Sequence, residues 1–143
     1  MREILFRGKR TDYGTWVCGS LLCFKDGDMF ICCEDYIPDI QNKYQVDPST
    51  VGQYTGVPDK HGVKIFEGDI VESRASEVRE EWKRWAVVWE DGGFEFVRDV
   101  SQRKKHKHEA NTLCSDEIEL YGLAVVGNIY DNPEMLKGGD RNG

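Results

Sequence analysis

Five cysteines and three histidines are the residues of this sequence best suited to hold a metal ion: Cys18, Cys23, Cys32, Cys33 and Cys114, beside His61, His106 and His108. A structural zinc site needs four such ligands converging as a tetrahedron, usually from knuckles in which about two residues separate a pair of cysteines. That spacing is absent. Cys18 and Cys23 lie five positions apart and Cys32 and Cys33 are adjacent, so in strands each pair points to opposite faces. The pattern predicts no metal and no cofactor, with reduced cysteines that mostly fill the core.

Nucleophilic catalysis asks for a Ser or Cys with a base in hydrogen-bond reach and an orienting acid. No Gly-x-Ser-x-Gly elbow occurs, and His106 and His108 fall inside a basic run. Acid pairs such as Glu80-Glu81 and Glu67 with Asp69 stand in a chain of 26 acidic side chains, where solvated carboxylates are the ordinary reading. Gly92-Gly93 and Gly138-Gly139 precede no Lys-Ser/Thr and open no helix, so no phosphate loop is signalled. The expectation is a protein that is not an enzyme.

Two features suit binding instead. Arg103, Lys104, Lys105 and Lys107 could contact phosphates, each contact making affinity fall with salt; as a solvated loop they would do nothing. Val78, Trp82 and Trp85 fall at i, i+4 and i+7 among charged residues, the spacing of an amphipathic helix that Ser76 could cap. Trp82 and Trp85 would then form a protein interface or a lid on the core. A charged extension of the flanking strands is the alternative.

These features sit on a chain of 143 residues with 19 basic and 26 acidic side chains, a net charge of −7. That balance argues against a surface that wraps nucleic acid as a whole or lies on anionic lipid. No window approaches the roughly 18 apolar residues of a membrane span, and the start, Met1 to Arg7, has no signal-peptide core. The expected location is the cytoplasm.

The elements that must position these residues read as strands. Ile4 to Arg7 alternates until Gly8-Lys9 breaks the run, and Trp16 to Phe24 and Met29 to Cys33 flank an Asp26-Gly27 turn. Asp35 to Thr50, with Pro38 and Pro48, reads as a connection between two halves. Val63 to Phe66 and Ile70 to Glu72 flank Glu67-Gly68-Asp69, while Trp85 to Trp89 and Phe94 to Phe96 flank Glu90-Asp91-Gly92-Gly93. Ile118 to Tyr130 changes phase at Gly122, where a bulge is expected. Asn132-Pro133-Glu134 predicts a cap and a short terminal turn, and Lys137 to Gly143 a disordered tail.

Three segments resemble, in order, the YopX protein family, known mainly from bacteriophage and prophage genomes. They are Phe6-Arg7-Gly8-Lys9 with Gly14-Thr15-Trp16-Val17; Val51 to Gly56, Asp59 to Gly62 and Ile65 to Val71; and Val126 to Glu134. The resemblance implies a mainly β architecture: a β-rich N-terminal part over 1–46, an SH3-like barrel with one or two short helices over 47–136, and a tail over 137–143. It implies a site of work in the bacterial cytoplasm and no established activity. Gly56, Gly62, Gly68 and Asp69 read as fold determinants in tight turns.

The reading is a non-catalytic module that binds a host or phage macromolecule, with self-association open to it through strand edges. The alternative is a nucleic-acid-binding regulator using 103–108, and the third an enzyme of unrecognised type.

Overall fold

The computed structural model describes residues 3–33, 43–74, 82–90, 92–97, 111–112 and 122–136. The described chain is mainly β, with two antiparallel sheets. It divides into two compact units, Met1–Gly56 and Val57–Gly143.

In the first unit the strands are β1 (Phe6–Lys9), β2 (Trp16–Cys23), β3 (Met29–Cys32), β4 (Lys43–Val46) and β5 (Gly52–Pro58). With β6 (Lys64–Phe66) they make a six-stranded sheet in the order β4-β3-β2-β1-β5-β6. The Asp26-Gly27 turn joins β2 to β3 as expected, with Cys23 opposite Met29 and Gly27 at φ 96°. Three local readings are corrected. Gly8 does not break β1 but lies inside it, opposite Val17, and a Cβ there would stand 2.8 Å from the Val46 Cβ. Residues 43–46, expected within a connection, form β4, whose Val46 is fully buried. The cysteines are not mostly core: Cys32 is buried, whereas Cys18, Cys23 and Cys33 are exposed.

Strand β2 changes its partner at Gly19. Strand β2 pairs with β1 through Trp16–Gly19 and with β3 through Ser20–Cys23. A Cβ on Gly19 would fall 1.9 Å from the Cys32 carbonyl oxygen, so only glycine lets the two backbones pass at that handover. Beyond β4, Asp47 caps a single 3-10 turn, Pro48–Thr50, by accepting the Ser49 amide. Thr50 accepts the Lys9 amide at 2.9 Å, and β5 returns beside β1 with Gln53 opposite Phe6.

In the second unit the last residues of β5 turn back at Asp59–Gly62 toward β6 (Lys64–Phe66). Then come β7 (Asp69–Arg74), β8 (Trp82–Glu90), β9 (Gly93–Val97), β10 (Asn111–Thr112), β11 (Ala124–Asn128) and a 3-10 turn, Pro133–Leu136. The sheet order is β10-β9-β8-β7-β11. No pairing that closes this sheet into an SH3-like barrel is present among the described residues. Val87 packs with Ile65, Val71, Phe96 and Leu123, while Ala86 and Val88 pack with Val97, Ile129 and Leu136. Both faces of β8 are therefore covered, which is why Ala86-Val87-Val88 is continuously apolar. Burying each such branched side chain contributes about 1.5–3 kcal/mol.

Where the helix was expected, β7 runs to Arg74 and β8 begins at Trp82, Arg74 opposite Trp82. The described residues take the strand-extension alternative, because cross-strand pairing overrides the i, i+4, i+7 spacing. Residues 75–81 lie outside the described set. The expected bulge is also displaced. The register slips between Val125 and Gly127, opposite Val71 and Ile70, so Val126 is the extra residue and Gly122 belongs to a turn. The terminal turn forms as expected at Pro133, yet the Asn132 side chain accepts the Asn128 amide at 3.2 Å rather than capping the turn it precedes. The expected tail, 137–143, lies outside the described residues.

Candidate functional site

Three acidic residues of the second unit, Asp59, Asp69 and Glu72, are committed to the fold. One carboxylate oxygen of Asp59 accepts the amides of His61 (2.8 Å) and Val63 (2.9 Å), and the other accepts the Val125 amide at 2.9 Å. This locks the turn and also caps an outward-facing amide of β11. Burial pushes the Asp59 carboxyl up, but the amides of Val125, Val63 and His61 outweigh it, helped by the His61 side chain, and hold the group below its ordinary range. Asp69, 2% exposed, accepts the Phe66 amide at 2.7 Å within its own turn. Gly56, Gly62 and Gly68 take positive φ of 89°, 82° and 93°. Glu72, opposite Arg84 across β7 and β8, bonds the guanidinium at 2.8 Å. Among the described residues no group of three or more His, Cys, Asp and Glu is arranged to hold a metal ion.

The first unit carries a different chemistry, cations laid over aromatic rings. The bridge Arg10↔Val46, the Thr11 amide on the Gln45 carbonyl (3.1 Å) and the Asp47 amide on the Lys9 carbonyl (2.8 Å) bind the end of β1 to β4. With Val46 opposite Arg10, Tyr44 falls diagonally across from it on the same face. The guanidinium stands 4.4 Å from the Tyr44 ring centroid and 4.8 Å from that of Tyr13. Tyr13 sits in the β1–β2 turn, closed by the Arg10 amide on the Thr15 carbonyl (2.8 Å) and by Gly14 at φ 68°. Asp12 takes the guanidinium in a two-pronged pair at 2.8 and 2.6 Å and also accepts the Tyr13 amide. These hydrogen bonds raise the Arg10 pKa and lower that of Asp12.

The other face of β4 repeats the theme, since Lys43 and Tyr44 are consecutive in a strand. Lys43 lies diagonal to Phe30, and its ammonium is 5.2 Å from the Phe30 ring and 5.7 Å from Phe24. Those two rings meet edge to face at 5.3 Å. Arg7 covers Trp16 at 4.9 Å, again a diagonal pair in the β1–β2 register. Of these rings Tyr13 is 77% and Phe24 46% exposed, whereas the others are half-buried.

Sequence reasoning missed this surface because, although Arg7, Lys9 and Arg10 are close in the chain, Arg7 meets Trp16, Arg10 meets Tyr44 and Lys43 meets Phe30 only through strand register. Of the residues it singled out, Arg103, Lys104, Lys105 and Lys107, with His106, His108 and Cys114, lie outside the described residues. Trp82 opens β8. Trp85 is half-buried against Val71, Val87 and their neighbours, its ring 6.3 Å from Phe96. The structure brings the two tryptophans into one strand and leaves Trp89, at the far end of that strand, 50% exposed against Phe94.

Comparison with known proteins sets this arrangement in context. Protein EF1440 from Enterococcus faecalis matches with a TM-score of 0.62 at 23% identity, over 96% of this chain and 100% of that one. Protein yopX from Bacillus subtilis matches with a TM-score of 0.55 at 20% identity, over 96% and 98%. At such identities the likeness establishes the fold. No curated protein matches. The profile of the YopX protein family matches residues 5–137, the span that contains both sheets and every turn just described, and the chain therefore belongs to that family.

Proposed function

We propose that the protein is a non-catalytic macromolecular binding module whose working surface is the cation–aromatic array of the first unit. The observation that carries the reading is the Arg10 stack: an exposed tyrosine, a guanidinium behind it and a second tyrosine behind that, held by strand register. Aromatic rings backed by cations give contact area and charge recognition at little cost in side-chain entropy, the combination enriched at binding hot spots. The buried carboxylates of the second unit are engaged by backbone amides and by Arg84, which favours a scaffold role for them over proton transfer. As a phage or prophage accessory protein, the module would meet its partner in the cytoplasm of a bacterial host.

The test is affinity capture from a bacterial lysate, half of it nuclease-treated, with the unaltered chain and with an Arg10→Gln/Lys43→Gln variant. The reading expects an identified macromolecule retained by the first and lost from the second at unchanged melting temperature. Equal retention by both would refute it.

A further inference from the structure

The outer face of Tyr13 is the most exposed large aromatic surface among the described residues, at 77%, and its other side is not free to choose a partner. Arg10 stands 4.8 Å from that ring and 4.4 Å from Tyr44, so the ring carries a cation on its inner side. A cation there draws electron density inward and leaves the outer side better suited to stack on an electron-rich plane than on an alkyl chain. The guanidinium edge is meanwhile turned to Asp12, in a two-pronged geometry that carboxylates and phosphates accept alike. Asp12 is itself 54% exposed, and exposed pairs of this kind exchange partners readily. A second cation adjoins the same turn, since the Lys9 side chain passes 3.8 Å from the position of a Cβ on Gly14.

We propose that the Tyr13–Arg10–Tyr44 stack is a site for single-stranded nucleic acid, in which Tyr13 stacks on an unpaired base and Arg10 exchanges Asp12 for a backbone phosphate. This rests on the reading of the protein as a binding module and names the ligand class. An acidic segment without aromatic residues would satisfy Arg10 but offer Tyr13 no plane, and a duplex keeps its bases stacked inside. An unpaired strand repeats a plane and an anion at adjacent positions along its length. With the chain at −7 overall, long-range attraction is weak, and contacts from Arg10 and Lys9 to about two phosphates give a slope of log affinity against log salt near −1.4.

The experiment is fluorescence anisotropy of a labelled oligothymidylate of about 12 nucleotides, within the span such surfaces cover, alongside a duplex of equal length and an oligoglutamate peptide. The full chain and the variants Tyr13→Ala, Arg10→Gln and Asp12→Asn are compared at up to about 100 µM, after melting curves confirm that each folds. The strand should bind better than duplex or peptide, and Tyr13→Ala should weaken it by about 5- to 100-fold. Arg10→Gln should weaken it too. Asp12→Asn, which keeps an acceptor for the Tyr13 amide but no longer competes for Arg10, should tighten it. No strand binding, equal binding by the Tyr13 and Arg10 variants, or binding lost only when Arg103, Lys104, Lys105 and Lys107 are neutralised would overturn the assignment. If the strand fails while lysate capture still depends on Arg10, the ligand class is wrong and the module stands; if both fail, both readings fall.

Discussion

Asp59→Ala strips one carboxylate from three backbone amides, those of His61, Val63 and Val125. A hydrogen bond to a charged group contributes about 1.5–3 kcal/mol net, but the freed amides regain some water, so the loss should be about 3–5 kcal/mol, near the upper end for single substitutions. Asp59→Asn separates the contributions. Its carbonyl oxygen keeps the two turn amides, while its NH2 faces the Val125 amide, donor against donor, for about 1.5–3 kcal/mol. At roughly 4 °C per kcal/mol for a chain of this size, the melting temperatures should fall by about 12–20 °C and 6–12 °C. Urea unfolding followed by tryptophan fluorescence suits the measurement, because Trp82, Trp85 and Trp89 all belong to the second unit. The pH dependence has a definite sign. A carboxyl held below its unfolded value of about 3.9 contributes in full above that pH and loses its contribution as pH falls through the lower folded value. The gap between the original chain and Asp59→Asn should therefore narrow in acid. Losses under about 1 kcal/mol for both variants, or a gap independent of pH, would refute the three-amide account.

Gly8→Ala should cost about 1–3 kcal/mol, since the added Cβ lies 2.8 to 3.0 Å from three Val46 atoms of a fully buried side chain. Combining it with Val46→Ala, which removes the γ-methyls at 2.9 and 3.0 Å but keeps the Cβ, should recover at least about 0.5 kcal/mol of the summed losses in a double-mutant cycle; strict additivity would argue against the two methyl contacts. Arg84→Ala leaves Glu72, 11% exposed at its side chain, without its guanidinium and should cost about 1–3 kcal/mol, between the values for exposed and buried pairs. Urea titration checks it, and a loss that vanishes in the Glu72→Gln background would assign the effect to the pair.

Turn chemistry was legible because it is local. Asp26-Gly27, Glu67-Gly68-Asp69 and the Pro133 turn each declare themselves within a few residues. Long-range contacts were not. Gly8 looks like a breaker until Val46, far along the chain, needs its space, and β4 hides in a proline- and asparagine-containing stretch with one fully buried side chain. The spacing of Val78, Trp82 and Trp85 suits a helix, but the pairing of β8 with β7 and β9 outweighs that local preference. The candidate surface was illegible for the same reason. Arg10 and Tyr44, or Lys43 and Phe24, become neighbours only once the register of four strands is fixed. A basic run draws the eye in a sequence; the aromatic rings that cations meet diagonally across strands do not.

Hydrogen exchange of the chain loaded with its captured macromolecule, or with the oligothymidylate, tests the central claim most directly. The account predicts slowed exchange at the turn 10–15 and along β4, 43–46, with β8 and β9 unchanged. Protection confined to the second unit, with 10–15 and 43–46 exchanging as in the unloaded chain, would contradict it.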